Sequence, residues 1–172
     1  MYRLTIKDIL EATGGVLLCG DENTEIKDVC INSKEIKPGD LFVPIIGERV
    51  DAHRFIESAL HTGAATLTSQ HTDIVVSEKP FVYVSDTEKA LQDIGAYVRR
   101  KFKKPVIGVT GSVGKTTTRQ MIATVLSGCL NVYQTEGNLN SQIGVPLTLR
   151  RIDENAEAAV LEMGICCLLQ IQ

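Results

Sequence analysis

Residues 106–118 read VIGVTGSVGKTTT, and this run restricts what the chain can fold into more than any other stretch. Apolar Val106, Ile107 and Val109 read as a buried strand, Gly108, Gly111 and Gly114 as a loop, and Lys115 and Thr116 open a segment of helical periodicity. Strand, glycine loop and helix in that order make a site for phosphate groups. Glycines let backbone N–H groups turn toward oxyanions at a helix N-terminus, a lysine reaches the β- and γ-phosphates, and the next hydroxyl ligates Mg²⁺. The strict spacing G-x-x-x-x-G-K-[ST] would need glycine at position 109, where this chain has Val109, so the loop is a variant whose glycine is Gly111. Thr110, Gly111, Ser112, Val113, Gly114, Lys115, Thr116 and Thr117 are the candidate nucleotide-binding residues.

The whole sequence is 172 residues long, room for one ordinary domain or two small ones. With 44% apolar and 23% charged residues it can bury a core. A formal charge of −3 gives no basic surplus, which argues against nucleic acid and anionic membranes as partners. No apolar run approaches the ~20 residues of a membrane helix and the start has no signal-sequence pattern, so the expected compartment is the cytoplasm. Five cysteines, Cys19, Cys30, Cys129, Cys166 and Cys167, are an odd number without metal-ligand spacing and read as reduced thiols.

Ahead of the glycine loop, Thr5 caps a predicted helix over 6–13 that Gly14 and Gly15 end. Strands are expected at 16–19, 26–31, 41–46, 65–68, 74–77 and 81–85, and a helix at 52–62 with Phe55, Ile56, Ala59 and Leu60 inward. These make a small α/β domain over residues 1–85. A helix from Asp86 or Thr87, ending in the basic cluster 99–104 and stopped by Pro105, connects it to a second domain over 86–172. There the helix after the loop should turn Met121, Ile122, Val125 and Leu126 toward a parallel sheet, joined to a strand at 131–135 by a right-handed crossover. A polar loop at 136–144 leads to a helix near 145–151, and the apolar strand 158–163 ends in a carboxylate. Glu162 thus lies at the carboxyl edge where open α/β sheets bind ligands, and Mg²⁺ shared with Thr116 would balance its charge. Thr116 and Glu162 are the metal candidates; Lys115 and Glu162 are the catalytic ones.

The run GVTGSVGKTTT, the loop TEGNLNSQIGVPLTL and the strand VLEMG, in that order, resemble the Mur ligases. The stretch INSKEIKPGDLFVPIIGERVDAHRFIESALHTGA resembles that family's uridine-nucleotide domain, whose pattern runs D-S-R, P-G-D-L-F-V, G, D-G-H-x-F and A-x-x-x-G-A. The resemblance implies an α/β fold with an N-terminal UDP-substrate domain and an incomplete P-loop ATPase domain. It implies an ATP-dependent amide ligase of peptidoglycan synthesis, with UDP-N-acetylmuramoyl-tripeptide and D-alanyl-D-alanine as substrates and an acyl phosphate between them. It places Ser33, with Asn32, Lys34 and His53, at the uridine diphosphate, and Asn138 and Asn140 in the cleft between the domains. Asn32, Lys34, Ala52 and Ser141 depart from the pattern's Asp, Arg, Gly and second Asn. Lysine in place of arginine gives up a planar bidentate fork.

After Gly164 the family continues through the rest of its ATPase domain and a third, acceptor domain, whereas this chain runs ICCLLQIQ. A truncated or frame-shifted product is the expectation, inactive alone and prone to associate through an open apolar sheet edge. Three alternatives remain open: a UDP-sugar-binding module without turnover, a sibling ligase for another amino acid, and a regulatory P-loop NTPase.

Overall fold

In the computed structural model, which describes residues 2–70 and 78–164, the first helix is set by its cap. Strand β1 (Leu4–Thr5) ends where Thr5 accepts from Asp8 N over 3.3 Å and the Asp8 carboxylate accepts from Thr5 N over 2.8 Å. This reciprocal pair starts α1 (Ile6–Thr13), whose Ile6 and Ile9 are buried, and Gly14 at φ 65° ends it. The strand expected at 74–77 and the ending at 165–172, with Cys166 and Cys167, lie outside the described residues. Among the described residues Cys19, Cys30 and Cys129 are free thiols.

The chain divides into two compact units, one spanning Arg3–Ile94 and the other running from Gly95 onward with Tyr2. The division falls inside the connecting helix rather than ahead of it at residue 85. The reason lies in that helix's last turns: Gly95 lies against Pro146, and Phe102 joins the core of the second unit.

In the first unit, β2 (Val16–Cys19), β3 (Glu25–Ile26), β4 (Val29–Cys30), β5 (Leu41–Phe42), β6 (Ala65–Thr68) and β7 (Phe81–Tyr83) alternate with α2 (Ile56–Thr62). One sheet has the order β2-β7-β6-β5-β4, parallel except for the β2–β7 pair, and β1 pairs separately with β3. The single strand expected at 26–31 is therefore two. Lys27 N donates to Gly39 O over 2.8 Å and Val29 N to the Asp28 carboxylate over 2.8 Å, so the chain changes partner at this polar step. The strand expected at 41–46 is only Leu41–Phe42, and its pairing ends with Val43 N donating to Cys30 O over 2.8 Å. Pro44 has no N–H to give, and its carbonyl accepts from the Thr87 hydroxyl instead. The helix expected at 52–62 opens with a 3-10 turn, Ala52–Phe55, capped by Asp51. Phe42, Ile56, Ala59 and Phe81 form the core between this sheet and α2.

Helix α3 (Thr87–Lys101) starts at Asp86, whose carboxylate accepts from Glu88 N and Lys89 N over 2.8 and 3.0 Å. In the second unit, β8 (Val106–Val109), α4 (Lys115–Leu126), β9 (Val132–Gln134), α5 (Gly144–Arg150) and β10 (Ala158–Glu162) follow in order. The sheet is parallel with the order β8-β10-β9, so the two strands that α4 links are separated by β10. Every residue of β10 is buried, and its alternating side chains serve two cores. Ala159 and Leu161 pack with Phe102, Ile152 and Ala156, while Val160 packs with Val109 and Ala123 beneath Ile122 and Leu126.

The inward face of α4 differs from the expected one. Met121 and Val125 are 65% and 76% exposed, and the stripe against the sheet is Arg119, Ile122, Ala123 and Leu126, spaced i, i+3, i+4, i+7. A charged residue inside the stripe conceals it from a hydrophobic count.

Candidate nucleotide-phosphate site

Between β8 and α4 the chain makes its turn through two glycines in conformations that side chains rarely adopt, Gly111 at φ 139° and Gly114 at φ 77°. A Cβ on Gly114 would meet nothing within 4 Å, and one on Gly111 only Val113 O at 3.8 Å, so backbone shape rather than crowding demands glycine there. Gly114 is the N-cap of α4, no side chain among the described residues caps that helix, and its first turn holds no acidic residue. The first-turn N–H groups therefore face outward with the positive end of the helix dipole. Lys115 reaches back over the loop, its ammonium donating to Gly111 O over 2.7 Å.

Glu162 ends β10, paired in register with Val109 at the end of β8, and only 3% of it is exposed. Its Oε2 accepts from Thr116 Oγ1 over 2.9 Å and its Oε1 from Asn140 Nδ2 over 2.8 Å. Its backbone N donates to the buried Thr135 hydroxyl over 2.9 Å, and Arg119 Nε stands 3.6 Å from Oε2. Burial alone would raise its pKa, but the Asn140 and Thr116 hydrogen bonds, then the Arg119 and Lys115 charges, outweigh that and hold it below the ordinary carboxyl value. Glu162 is thus a buried carboxylate kept ionised at a helix N-terminus, beside a hydroxyl. This donor set is all oxygen. Among the described residues no three His, Cys, Asp or Glu side chains gather, so a cation here would draw its remaining ligands from phosphates and water, as Mg²⁺ does.

Asn140 reaches Glu162 because its own backbone is pinned: Asn140 N donates to Asn138 O over 2.8 Å and Gly164 N to Asn140 O over 2.6 Å. Asn138 is exposed. Thr110, Ser112, Val113 and Thr117 are exposed around the loop. Arg119, Gln134 and Thr135 were not among the sequence candidates. Arg119 carried a usable signal, one helical turn beyond Lys115 and Thr116 on the same face.

In the first unit Asn32 builds a turn rather than a free contact. Its Oδ1 accepts from Lys34 N over 3.1 Å, its Nδ2 donates to Glu35 Oε1 over 2.8 Å, and its carbonyl accepts from Glu35 N over 3.0 Å. Ser33 is half-buried and Lys34 exposed on that turn. Cys30 lies beneath, its thiol donating to Asn32 O over 3.1 Å, and burial pushes that thiol's pKa up. His53 is 3% exposed and both ring nitrogens are engaged. Ser69 N donates to Nε2 over 3.1 Å, which leaves the proton on Nδ1, 2.7 Å from Asp51 Oδ1. The Asp51 carboxyl is lowered, chiefly by the hydrogen bond from His53 N.

A parallel α/β unit with a glycine loop at a helix N-terminus and a carboxylate closing the neighbouring strand is the architecture of the P-loop-type class. Within that class, residues 109–170 match the Mur ligase middle domain and residues 25–100 the Mur ligase family catalytic domain, and the chain belongs to the Mur ligase family. It is 40% identical over 167 residues to the UDP-N-acetylmuramoyl-tripeptide--D-alanyl-D-alanine ligase of Bacillus subtilis, covering 96% of this chain and 36% of that protein. The crystal structure of MurF from Acinetobacter baumannii superposes with a TM-score of 0.87 at 34% identity, covering 96% of this chain and 36% of that one. The MurF ligase of Thermotoga maritima in complex with ADP superposes at 0.71 with 34% identity, over 80% of this chain and 32% of that one. The chain therefore spans about a third of the length of the relatives it matches, as the 36% and 32% figures show. Among the described residues no helix is long and apolar enough to cross a membrane.

Proposed function

We propose that this chain supplies the uridine-nucleotide and ATP-binding parts of a cytoplasmic amide ligase that adds D-alanyl-D-alanine to UDP-N-acetylmuramoyl-tripeptide. The observation that carries it is the Thr116–Glu162 pair at the open N-terminus of α4, 2.9 Å apart beneath the Lys115 loop. The names of the 34–40% identical relatives and the ADP bound in one of them support the nucleotide and the substrates.

In that reaction the γ-phosphate of ATP passes to the tripeptide carboxylate, the dipeptide amine attacks the acyl phosphate, and phosphate leaves. The chemistry asks the protein for position and charge stabilisation rather than covalent help. Gly111 to Thr117 place backbone N–H groups around the phosphates, and Lys115 leaves Gly111 O to meet them. Thr116 and Glu162 would hold Mg²⁺, which when bound neutralises phosphate charge. Asn140 keeps the Glu162 carboxylate oriented. On the first unit, the half-buried Ser33 and the exposed Lys34 of the Asn32 turn are the donors for a diphosphate. His53, saturated by Asp51 and Ser69, shapes the adjoining loop.

Calorimetric titration with Mg-ADP and with UDP-N-acetylmuramoyl-tripeptide tests this. Both should bind, and Lys115→Ala should abolish nucleotide binding while leaving uridine-ligand affinity within about twofold, well under the tenfold that 1.4 kcal/mol represents. Equal loss of both, or no uridine binding by the unsubstituted chain, overturns the assignment.

A further inference from the structure

Arg119 lies one helical turn below Lys115 and Thr116, and only 7% of its side chain is exposed. Nη1 donates to Gln134 Oε1 over 3.0 Å and to the Thr135 carbonyl, which fastens the guanidinium to the end of β9. Nε has no hydrogen-bond acceptor among the described residues, yet it stands 3.6 Å from Glu162 Oε2. A buried charged donor left unmet is costly, and a carboxylate shift of about 0.8 Å would bring this pair from 3.6 Å to the ~2.8 Å of a charge-assisted bond.

We infer that Arg119 is a positioning residue for the cation site: Nε would take up Oε2 and hold the Glu162 carboxylate in the orientation in which it and Thr116 would ligate a divalent ion. The inference rests on the nucleotide-phosphate reading above. It explains why a cation is tolerated inside the apolar stripe of α4. The fork of the guanidinium reaches β9 with one nitrogen and β10 with another, and both strand ends border the loop. A lysine head at this position would have no fixed second donor to divide between them.

The test is ADP affinity of the full chain measured by calorimetry in EDTA and in Mg²⁺, the ratio being the Mg²⁺ gain. Arg119→Gln should cut that gain about tenfold or more, while EDTA affinity stays within about twofold. Arg119→Lys should fall between the two. An undiminished gain in Arg119→Gln, or equal loss in EDTA and Mg²⁺ as a purely structural role would give, overturns the inference. Thermal unfolding checks folding; if Arg119→Gln does not fold, Arg119→Lys decides, and an unchanged gain there is the refutation. Absence of ADP binding by the unsubstituted chain in both buffers would instead remove the nucleotide reading, and this inference with it.

Discussion

Thr116, in the first turn of α4, and Glu162, the last residue of β10, lie 46 positions apart in the sequence and meet through a 2.9 Å hydrogen bond. The contact joins the helix that follows the glycine loop to the strand at the centre of the sheet, and it brings a hydroxyl and an ionised carboxylate together where phosphate would arrive. Oxygen from each is what a hard divalent ion takes up.

Thr116→Val is the clean probe of that pair, since it removes the hydroxyl and keeps the shape at an exposed position. The Mg²⁺-dependent part of ADP affinity should fall about tenfold or more. Affinity in EDTA, which depends on Lys115 and the loop amides, should barely change. Calorimetry in the two buffers reads both, and a loss confined to EDTA would contradict the placement of the cation.

The lowered Glu162 pKa makes stability depend on acid. Folded-state pKa lies below the ordinary 4.5, so the carboxylate's contribution is complete above that value and is lost as pH falls through the folded pKa. Urea midpoints of the native chain should therefore drop between pH 5 and the acid range more steeply than those of Glu162→Gln, whose amide does not titrate. Parallel curves for the two proteins would show that Glu162 is not the group responsible.

Local signals in the sequence reveal some of this architecture and conceal the rest. The Thr5 cap with Gly14, and the strand, loop and helix from Val106 onward, are written in consecutive residues, so each can be read without knowing the fold. Partner choice is not local. The break between Ile26 and Val29 depends on Gly39 and Asp28 competing for the backbone, and the insertion of β10 between β8 and β9 depends on chain far ahead of α4. The same holds at the sites. Glu162 was legible as the end of an apolar strand, whereas the burial of Arg119 is explained only by the end of β9, and the engagement of His53 by Ser69, just past the end of β6.

Gly111 and Gly114 separate backbone strain from steric exclusion. Both have room for a methyl group, so alanine costs only the backbone conformation, about 1–3 kcal/mol at each. Gly111→Ala, at φ 139°, should be the worse of the two, and either should weaken ADP binding as the loop relaxes away from its native turn. Urea unfolding and calorimetry on the two single variants check this. Full ADP affinity in Gly111→Ala would mean that the loop's shape is irrelevant to phosphate.

His53 and Ser33 stand near each other in the sequence motifs, and the geometry assigns them different work. The His53 ring spends Nδ1 on Asp51 and Nε2 on Ser69 and is buried, so it ties the 3-10 turn before α2 to the end of β6. His53→Ala should cost about 2–4 kcal/mol, the loss of two hydrogen bonds plus a cavity. Uridine-ligand affinity of the protein that remains folded should stay within about twofold, since no nitrogen was free to begin with. Ser33→Ala should do the reverse, with stability within about 0.5 kcal/mol and affinity down several-fold. Denaturation and titration on both variants decide the matter: a His53 variant that keeps its stability but loses the uridine ligand would return the histidine to the binding surface.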